Sequence, residues 1–288
     1  KERDRTVSLQ ATFVRPRFRT YSVVSVGGEI EKTDFSTTPD TLLSHLSPFY
    51  GERRTYPALI GSIGWSNAQR PGISISPEDG VTLSARGRAR WQNGTSGGST
   101  QSVVGAGTGF KSLDLPGFAH HVLALRAAGG ITDEESTDRF SAGGTSGTSL
   151  EVFPGYFLGG QRRTFGVRGY PAAAEGGIRA YSGALEYRAP LFAPSRGFRF
   201  LPVFIDRASV SVFGETGRAW CPRVVGVCRA EDVDNPVMTS TGAELNFDTA
   251  LLLDVQARFR VGVAFPLINR AELGASNAQF YATFGSSF

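Results

Sequence analysis

The chain has 288 residues, with 36 Gly, 21 Phe and 8 Tyr but one Met and two Cys. This composition favours strands over helices, because aromatic residues fit a pleated surface and Gly serves turns. The net charge of +4 arises from basic residues that alternate with neutral ones, as at Arg86, Arg88 and Arg90, whereas a nucleic-acid surface needs them clustered with aromatic residues. Nucleic-acid binding is therefore not expected, and no run approaches the roughly 18 apolar residues of a membrane-spanning helix.

Alternation of polar and apolar residues predicts eleven strands. The first residues, Lys1 to Arg5, are charged and contain no apolar signal segment, so a signal for export is expected upstream of Lys1. Side chains two positions apart lie on the same face of a strand, and this period recurs along the chain. It predicts strands over 6–16, 20–34, 56–68, 81–93, 102–112, 118–130, 178–190, 199–214, 237–247, 251–265 and 278–288.

The strongest alternation lies near the C-terminus. Odd-numbered positions from Leu251 to Phe265 are apolar, while Arg258 and Arg260 lie in the opposite row. The pattern is longer than the ~9–11 residues of a tilted membrane strand, and soluble sandwich strands usually have about 5–6. An apolar face towards lipid and a charged face towards a wet lumen are typical of a membrane barrel. The sequence therefore predicts one domain over residues 1–288, an all-β transmembrane antiparallel β-barrel with about 11–12 visible strands, compatible with part of a barrel of about 16 strands.

Connections between the predicted strands alternate in length. The segments 15–19, 113–117, 193–197 and 248–250 are short and 69–80 is a longer exception, while 36–54, 93–101, 131–177, 215–236 and 268–277 are long. Outer-membrane barrels have short periplasmic turns and long outer loops, which places Phe288 in the periplasm. Eleven strands then leave the N-terminus outside, so we expect a further strand upstream of Lys1, from another chain, or where alternation is weak.

The connection 131–177 is too long for an idle surface loop. A Gly-Gly pair at 159–160 precedes Val167-Arg168-Gly169-Tyr170, and the segments 182–191 (SGALEYRAPL) and 212–217 (VFGETG) follow. In this order, with an aromatic residue at the C-terminus, the motifs resemble the BamA/TamA family of outer-membrane assembly and translocation barrels, whose sixth outer loop carries V-R-G-F/Y. The resemblance covers residues 100–288 well and residues 1–99 by pattern alone.

The resemblance implies that segment 131–177 folds back into the lumen and that Arg168 docks on acidic groups of the inner wall. Period two places Glu186 and Glu215 on the inner faces of their strands, and a guanidinium can bind carboxylates bidentately. Gly169 would permit the close backbone approach of a loop tip. The family usually has Asp where this chain has Glu215, and the extra methylene lengthens the reach. We expect a lock of Arg168 with Glu186 and Glu215; the alternative is that Arg168 is one of many arginines on a solvated loop.

The same resemblance implies a function at the bacterial outer membrane, namely the insertion or translocation of proteins or lipids. Phe284 and Phe288 would form the C-terminal signal that the assembly machinery recognises. The last strand would form a weak seam to which an incoming strand adds by β-augmentation. Expected partners are outer-membrane lipids, nascent outer-membrane proteins, and periplasmic or lipoprotein subunits. Substrate-binding repeats, if present, would precede Lys1.

Cys221 and Cys228 are the two cysteines and lie in the predicted outer loop 215–236. A cysteine pair on one exposed loop of an exported protein indicates a disulfide. The alternative, a metal site, would need more ligands, and the three His (His45, His120 and His121) are remote in sequence. No metal or other cofactor is therefore expected.

Two further classes of function remain open from the sequence. The chain contains neither a nucleophile elbow nor an H-E-x-x-H motif, so we do not expect an enzyme. A structural barrel that anchors an upstream domain or a partner complex is the main alternative to insertion. A passive pore is a third alternative, against which a loop in the lumen argues.

Overall fold

The computed structural model describes residues 2–35, 54–91, 99–134, 139–145, 150–153, 156–158, 163–197, 203–225, 228–251 and 255–285. Eleven long strands follow one another in a single antiparallel sheet, to which the two-residue strand Arg196–Gly197 (β13) is added at β14. In sheet order they are β1 (Glu2–Pro16), β2 (Tyr21–Phe35), β3 (Arg54–Ser66), β4 (Gly80–Trp91), β5 (Ser99–Leu113), β6 (His121–Thr132), β12 (Arg179–Phe192), β14 (Val203–Trp220), β15 (Met238–Leu251), β16 (Val255–Pro266) and β17 (Gln279–Gly285).

The predicted all-β class is confirmed, and each of the eleven predicted strands has a counterpart in the sheet. Several boundaries differ by a few residues, and two of these errors concern residues of the inner face. Glu215 was placed at the start of an outer loop, but β14 continues to Trp220 and Glu215 pairs there with Ala184 and Ser240. Segment 248–250 was predicted as a turn, but it lies within β15, where Asp248 pairs with Arg258. Polar residues inside an inward-facing row gave the appearance of strand ends.

The sheet has two chemically different faces. Along β14, Ser209, Ser211, Phe213 and Glu215 are buried, whereas the intervening Val212 is 52% exposed. The same alternation continues in most of the other strands, where exposed apolar side chains occupy the outer face, among them Leu59, Leu125, Leu185, Phe259 and Phe265. In β1 the described side chains from Arg5 to Pro16 are exposed on both faces. An apolar outer face and a polar inner face are typical of strands that face lipid on one side. Among the residues described, no helix is long and apolar enough to cross a membrane.

The long connection between β6 and β12 forms structure of its own against the inner face. Its strands are β7 (Phe140–Ala142), β8 (Leu150–Phe153), β9 (Tyr156–Leu158), β10 (Arg163–Phe165) and β11 (Glu175–Gly177). Strands β10, β7 and β11 form a small sheet, and β8 pairs with β9. Phe140 packs edge-on against Phe165, with ring centroids 5.6 Å apart. Together with Val167 and Tyr170 they share a buried cluster with wall residues Ala180, Ala219 and Met238.

Candidate functional site at the tip of the inner loop

The tip of the inner loop, Val167 to Tyr170, is completely buried against the wall. Val167 forms an isolated bridge with Gly144 and is 0% exposed. It lies over Gly217 of β14, where a Cβ atom would be 2.6 Å from the Val167 Cγ2 atom. A larger residue at position 217 would therefore push the tip away from the wall, so glycine at this position allows the loop to reach β14.

Gly169 gives the tip its backbone shape. Its φ of 95° lies in a region that L side chains rarely adopt. A Cβ atom here would be 3.3 Å from the Pro266 nitrogen and 3.4 Å from the Ala264 Cβ atom on β16. The turn at Gly169 brings Arg168 and Tyr170 against the wall at two separate places.

Tyr170 fastens the tip to the ends of two wall strands. Its hydroxyl donates to the Ile268 carbonyl at 2.6 Å, lies 2.9 Å from the Thr239 carbonyl, and accepts from the Thr239 amide at 3.1 Å. The ring is 0% exposed. Tyr170 thus bonds the tip directly to the backbone of β15 and of the segment that follows β16.

Arg168 makes the densest set of polar contacts at the tip. Its Nε and Nη2 atoms donate to Glu215 Oε1 at 3.0 and 2.6 Å, and its backbone amide donates to Glu215 Oε2 at 2.8 Å. Nη2 also donates to Glu186 Oε1 at 2.7 Å, and Nη1 donates to Glu244 Oε2 at 3.1 Å. The guanidinium carbon lies 3.5 Å from the centroid of the Phe213 ring. Arg168 therefore contacts acids on three adjacent strands, β12, β14 and β15, and an aromatic face.

The charges around Arg168 balance. Glu186, Glu215 and Glu244 are all buried. Burial by itself would lower the pKa of Arg168, but the adjacent carboxylates outweigh it and hold this pKa above its ordinary value. Arg168 therefore remains charged at any pH at which the protein folds. A buried cation of this kind needs its anionic partners, because desolvation of an unpaired charge is costly.

Arg126 and Arg188 complete the cluster from the wall. Arg126 reaches over Ala184, its register neighbour on β12, and Nη2 donates to Glu215 at 3.0 Å. Arg188 donates to Glu186 Oε2 from Nε at 3.1 Å and from Nη2 at 2.6 Å. Their side chains are 37% and 22% exposed, against 5% for Arg168. Water can therefore partly replace the two wall arginines but not Arg168.

Tyr281 links the cluster to the last described strand. In the register of β15, β16 and β17, Gly262 lies between Glu244 and Tyr281. Because Gly262 has no side chain, the Tyr281 ring can lie across it, and the hydroxyl donates to Glu244 Oε2 at 2.9 Å. The same carboxylate oxygen accepts from Arg168. One carboxylate thus joins the loop tip to β17.

Tyr281→Phe should loosen β17 because it removes the bond to Glu244 and leaves the rest of the cluster in place. The expected loss of stability is about 1.5–3 kcal/mol, the value of a hydrogen bond to a charged group. Hydrogen-exchange mass spectrometry should show faster exchange in β17 peptides than in β14 peptides. Tyr21→Phe, which removes a hydroxyl from an exposed tyrosine of β2, should leave both unchanged. Unaltered β17 exchange in Tyr281→Phe would argue against the link.

The sequence-predicted residues are distributed as follows. Arg168 contacts both Glu186 and Glu215 directly, and Val167, Gly169 and Tyr170 position the arginine. Sequence reasoning missed Glu244, Arg126, Arg188, Phe213 and Tyr281, which face inwards by period two but whose proximity depends on strand register. Phe284 pairs with Phe259 in β17, whereas Phe288 lies outside the described residues.

A disulfide and an ion pair stabilise the loop that follows β14. The predicted disulfide between Cys221 and Cys228 is present. The Cys221 amide donates to the Asp232 carbonyl at 2.9 Å, and the Asp232 carboxylate accepts from Arg139 of the inner loop at 2.6 Å. Both cysteines pack on Ile178 at the start of β12. The disulfide loop is therefore bound to the outer part of the inner loop through the contact of Asp232 with Arg139.

Glu175 is a buried acid at the outer end of the inner loop. Its Oε2 atom accepts from the Ala219 amide at 2.9 Å, and within the described residues its buried Oε1 atom has no hydrogen-bond partner. Burial raises the pKa of Glu175 from 4.5 to about 7. In this pH interval the folded protein holds a proton that the unfolded chain has released.

The free energy of unfolding should therefore fall as pH rises from about 4.5 to 7, by up to about 3 kcal/mol, and level off above 7. Glu175→Gln keeps an acceptor for Ala219 but does not titrate, so it should flatten this dependence and stabilise the protein above pH 7. Urea unfolding at pH 5 and pH 8 measures both effects. Glu231→Gln, at an exposed position, is the matched control. Equal pH slopes in wild type and Glu175→Gln would refute the assignment.

Comparisons with known proteins agree with this architecture. No protein-family model matches the chain, and no curated protein matches it. Among solved structures, the chain is similar to BamA from Haemophilus ducreyi lacking POTRA domains 1-3, with a TM-score of 0.54 and 16% sequence identity. The match covers 98% of this chain and 54% of that chain, so this chain spans about half the length of the solved protein. The likeness shows that the chain shares a BamA-type β-barrel fold.

Proposed function

We propose that this chain is a bacterial outer-membrane barrel that inserts or translocates proteins or lipids, and that its inner loop is held in the lumen by an arginine lock. The observation that carries the proposal is the contact of Arg168 with Glu186, Glu215 and Glu244. It is supported by the motif Val167 to Tyr170, which resembles the loop motif of the BamA/TamA family, and by the BamA-type fold.

The lock has the properties that a defined loop position requires. Salt bridges between exposed side chains contribute little, and a fixed geometry needs burial and several simultaneous bonds. Arg168 meets acids on three strands with a side chain that is 5% exposed. Removal of Arg168 would leave three buried carboxylates without the cation that they share. We infer that the loop has one strongly preferred position in the lumen.

The position of the loop is coupled to the edge of the sheet through Tyr281. Through the described residues Gln279 to Gly285, strand β17 pairs with Arg258 to Ala264 of β16. In the described part of the chain, β1 pairs with β2 alone and β17 with β16 alone. Backbone groups at both edges need partners inside a membrane. An incoming strand that adds to such an edge by β-augmentation would be a suitable substrate.

The apolar outer face of the sheet indicates which molecules would surround the barrel. Exposed apolar side chains, including Leu9 at 83% and Phe280 at 81%, would contact outer-membrane lipids. Nascent outer-membrane proteins are the proposed substrates, and periplasmic or lipoprotein subunits are the proposed accessory partners. Phe284 and Phe288 remain the proposed assembly signal.

A structural anchoring barrel is the second candidate. The observation that favours it is the balanced, buried charge cluster, which stabilises a static arrangement and supplies no evident moving part. Such a barrel would hold another domain or complex in the outer membrane and would not accelerate the folding of other proteins.

Reconstitution distinguishes these two candidates. The chain is folded into liposomes of outer-membrane lipid composition, a urea-denatured small outer-membrane barrel is added, and its folding is followed by heat-modifiable migration on gels. An inserting barrel should accelerate folding several-fold over liposomes that contain an unrelated closed barrel at the same protein-to-lipid ratio. Tyr281→Phe should alter the acceleration while the chain itself stays folded. A rate equal to that of the closed barrel would favour anchoring.

A further inference from the structure

The connection between β3 and β4 crosses the end of the barrel that carries the short turns. We call residues 67–79 the turn-side strap. Its base is fixed on its own side of the sheet, where Gln69 bridges Asp79 and the Asp79 carboxylate accepts from Ser112 Oγ at 2.7 Å and from Lys111 at 3.0 Å. The base of the strap is therefore held at the ends of β4 and β5.

The tip of the strap lies on strands far from its base. Arg207 of β14 donates from Nη1 to the Ser74 carbonyl and, at 3.3 Å, to the Gly72 carbonyl. Arg258 of β16 donates from Nη2 to the Ile75 carbonyl at 3.1 Å. Two wall arginines thus bind three backbone carbonyls of the strap, those of Gly72, Ser74 and Ile75.

A further ion pair joins the strap to β15, where Arg70 lies 3.7 Å from Asp248. Strands β4, β5, β6 and β12 separate β3 from β14 in the sheet, a path of roughly 20 Å or more along the wall at about 4.8 Å per strand. A strap of thirteen residues that contacts both sides must cross the opening. The contacts of the strap with β14, β15 and β16 also show that the sheet curves back towards β3 at this end.

The strap has a buried inner surface. Ser74, Ile75 and Ser76 are at most 2% exposed, whereas the neighbouring Ile73 is 69% exposed. The Ser74 hydroxyl donates to the Pro71 carbonyl at 2.7 Å, which stabilises the tip as a compact turn. Burial of the central residues is what a segment wedged into an opening would show, in contrast to a turn that projects into solvent.

We propose that the turn-side strap is a second closure of the lumen, in series with the inner loop, and that the chain thereby acts as a permeability barrier to ions and small solutes. The inner loop enters from the end with long connections, and the strap covers the end with short ones. Two closures in series keep the path shut while either remains in place. This role is independent of whether the barrel inserts substrates or anchors a partner.

Planar-bilayer conductance tests the series arrangement. Arg207→Ala with Arg258→Ala frees the strap tip, and Arg168→Ala frees the loop tip. Each should leave conductance close to wild type, whereas the combination of all three should raise it about tenfold or more. A combined variant that conducts like wild type, or a strap variant that by itself conducts like the combined one, would overturn the proposal. Arg86→Ala, an exposed arginine on the inner row of β4, is the matched control.

A second measurement does not depend on the stability of the Arg168 variant. Both cysteines are in the disulfide, so Ser209→Cys introduces a single thiol on the inner face of β14, two residues beyond Arg207. A membrane-impermeant thiol reagent applied from the turn side should label it slowly in the otherwise wild-type protein. Labelling should be about tenfold faster with Arg207→Ala and Arg258→Ala, or with residues 70–77 replaced by a short Gly-Ser linker. Equal labelling rates in all of them would refute closure by the strap.

Discussion

Arg168→Glu should abolish the folded, heat-modifiable form of the barrel. In the wild type, Glu186, Glu215 and Glu244 are balanced by Arg126, Arg168 and Arg188 around one buried cluster. The substitution places a fourth carboxylate there, with two arginines left. Buried like charges cannot be relieved by solvent, so the loop tip should be expelled from the wall.

Milder substitutions of Arg168 should destabilise the protein to a smaller extent. Arg168→Ala should cost about 3–5 kcal/mol, the usual result of removing one partner from a buried ion pair. Arg168→Lys should restore part of this loss, since an ammonium keeps the charge but lacks the planar fork that reaches three acids. Gel mobility without heating and urea unfolding in lipid vesicles measure both.

Arg223→Glu is the matched control for Arg168. It reverses an arginine that pairs with Glu134 on the exposed rim, where solvent screens the charges, so the folded form should persist. Wild-type heat-modifiability in Arg168→Glu would contradict the lock.

Tyr170→Ala should also be strongly destabilising, by about 3–5 kcal/mol, because it leaves a cavity where a fully buried aromatic ring was. Tyr170→Phe should cost less, about 1–3 kcal/mol, since the ring remains but the Thr239 amide and Ile268 carbonyl lose a buried partner. Denaturation midpoints of both variants in lipid vesicles give the comparison.

Phe18→Ala provides the control for loss of an aromatic ring. Phe18 lies in the turn between β1 and β2 and is 98% exposed, so its removal should change the stability of the loop tip little. If Tyr170→Ala were as stable as Phe18→Ala, the tip would not be fastened to the wall through this residue. Equal losses in Tyr170→Ala and Tyr170→Phe would assign the effect to the hydroxyl alone.

Alternation with a period of two residues was sufficient to predict the strands of the wall. A strand that separates lipid from a polar interior must alternate, so each of the eleven strands could be recognised without knowledge of its neighbours. The same period placed Glu186 and Glu215 on the inner face. It did not locate strand ends in β14 and β15, because polar residues such as Asp248 belong to the inner row as readily as to a turn.

Strand register decided which inner residues meet. Arg126 reaches Glu215 across Ala184, and Tyr281 reaches Glu244 across Gly262. Each contact joins residues two strands apart, and sequence alternation fixes the face of a residue but not its neighbour on another strand. The inward orientation of Glu244 and Tyr281 was available from the sequence; their meeting with Arg168 was not.

The amino-acid sequence by itself thus determined the all-β class and the two faces of the wall, because both depend on local alternation. It also indicated the loop motif around Arg168 through a family resemblance, and the pairing of Cys221 with Cys228 through their number and their place on one loop. Tertiary structure alone decided the third acid that contacts Arg168, the link of this acid to β17, and the course of the turn-side strap. These depend on the curvature that brings β14 and β16 opposite the β3–β4 connection, which results from the packing of all the strands together.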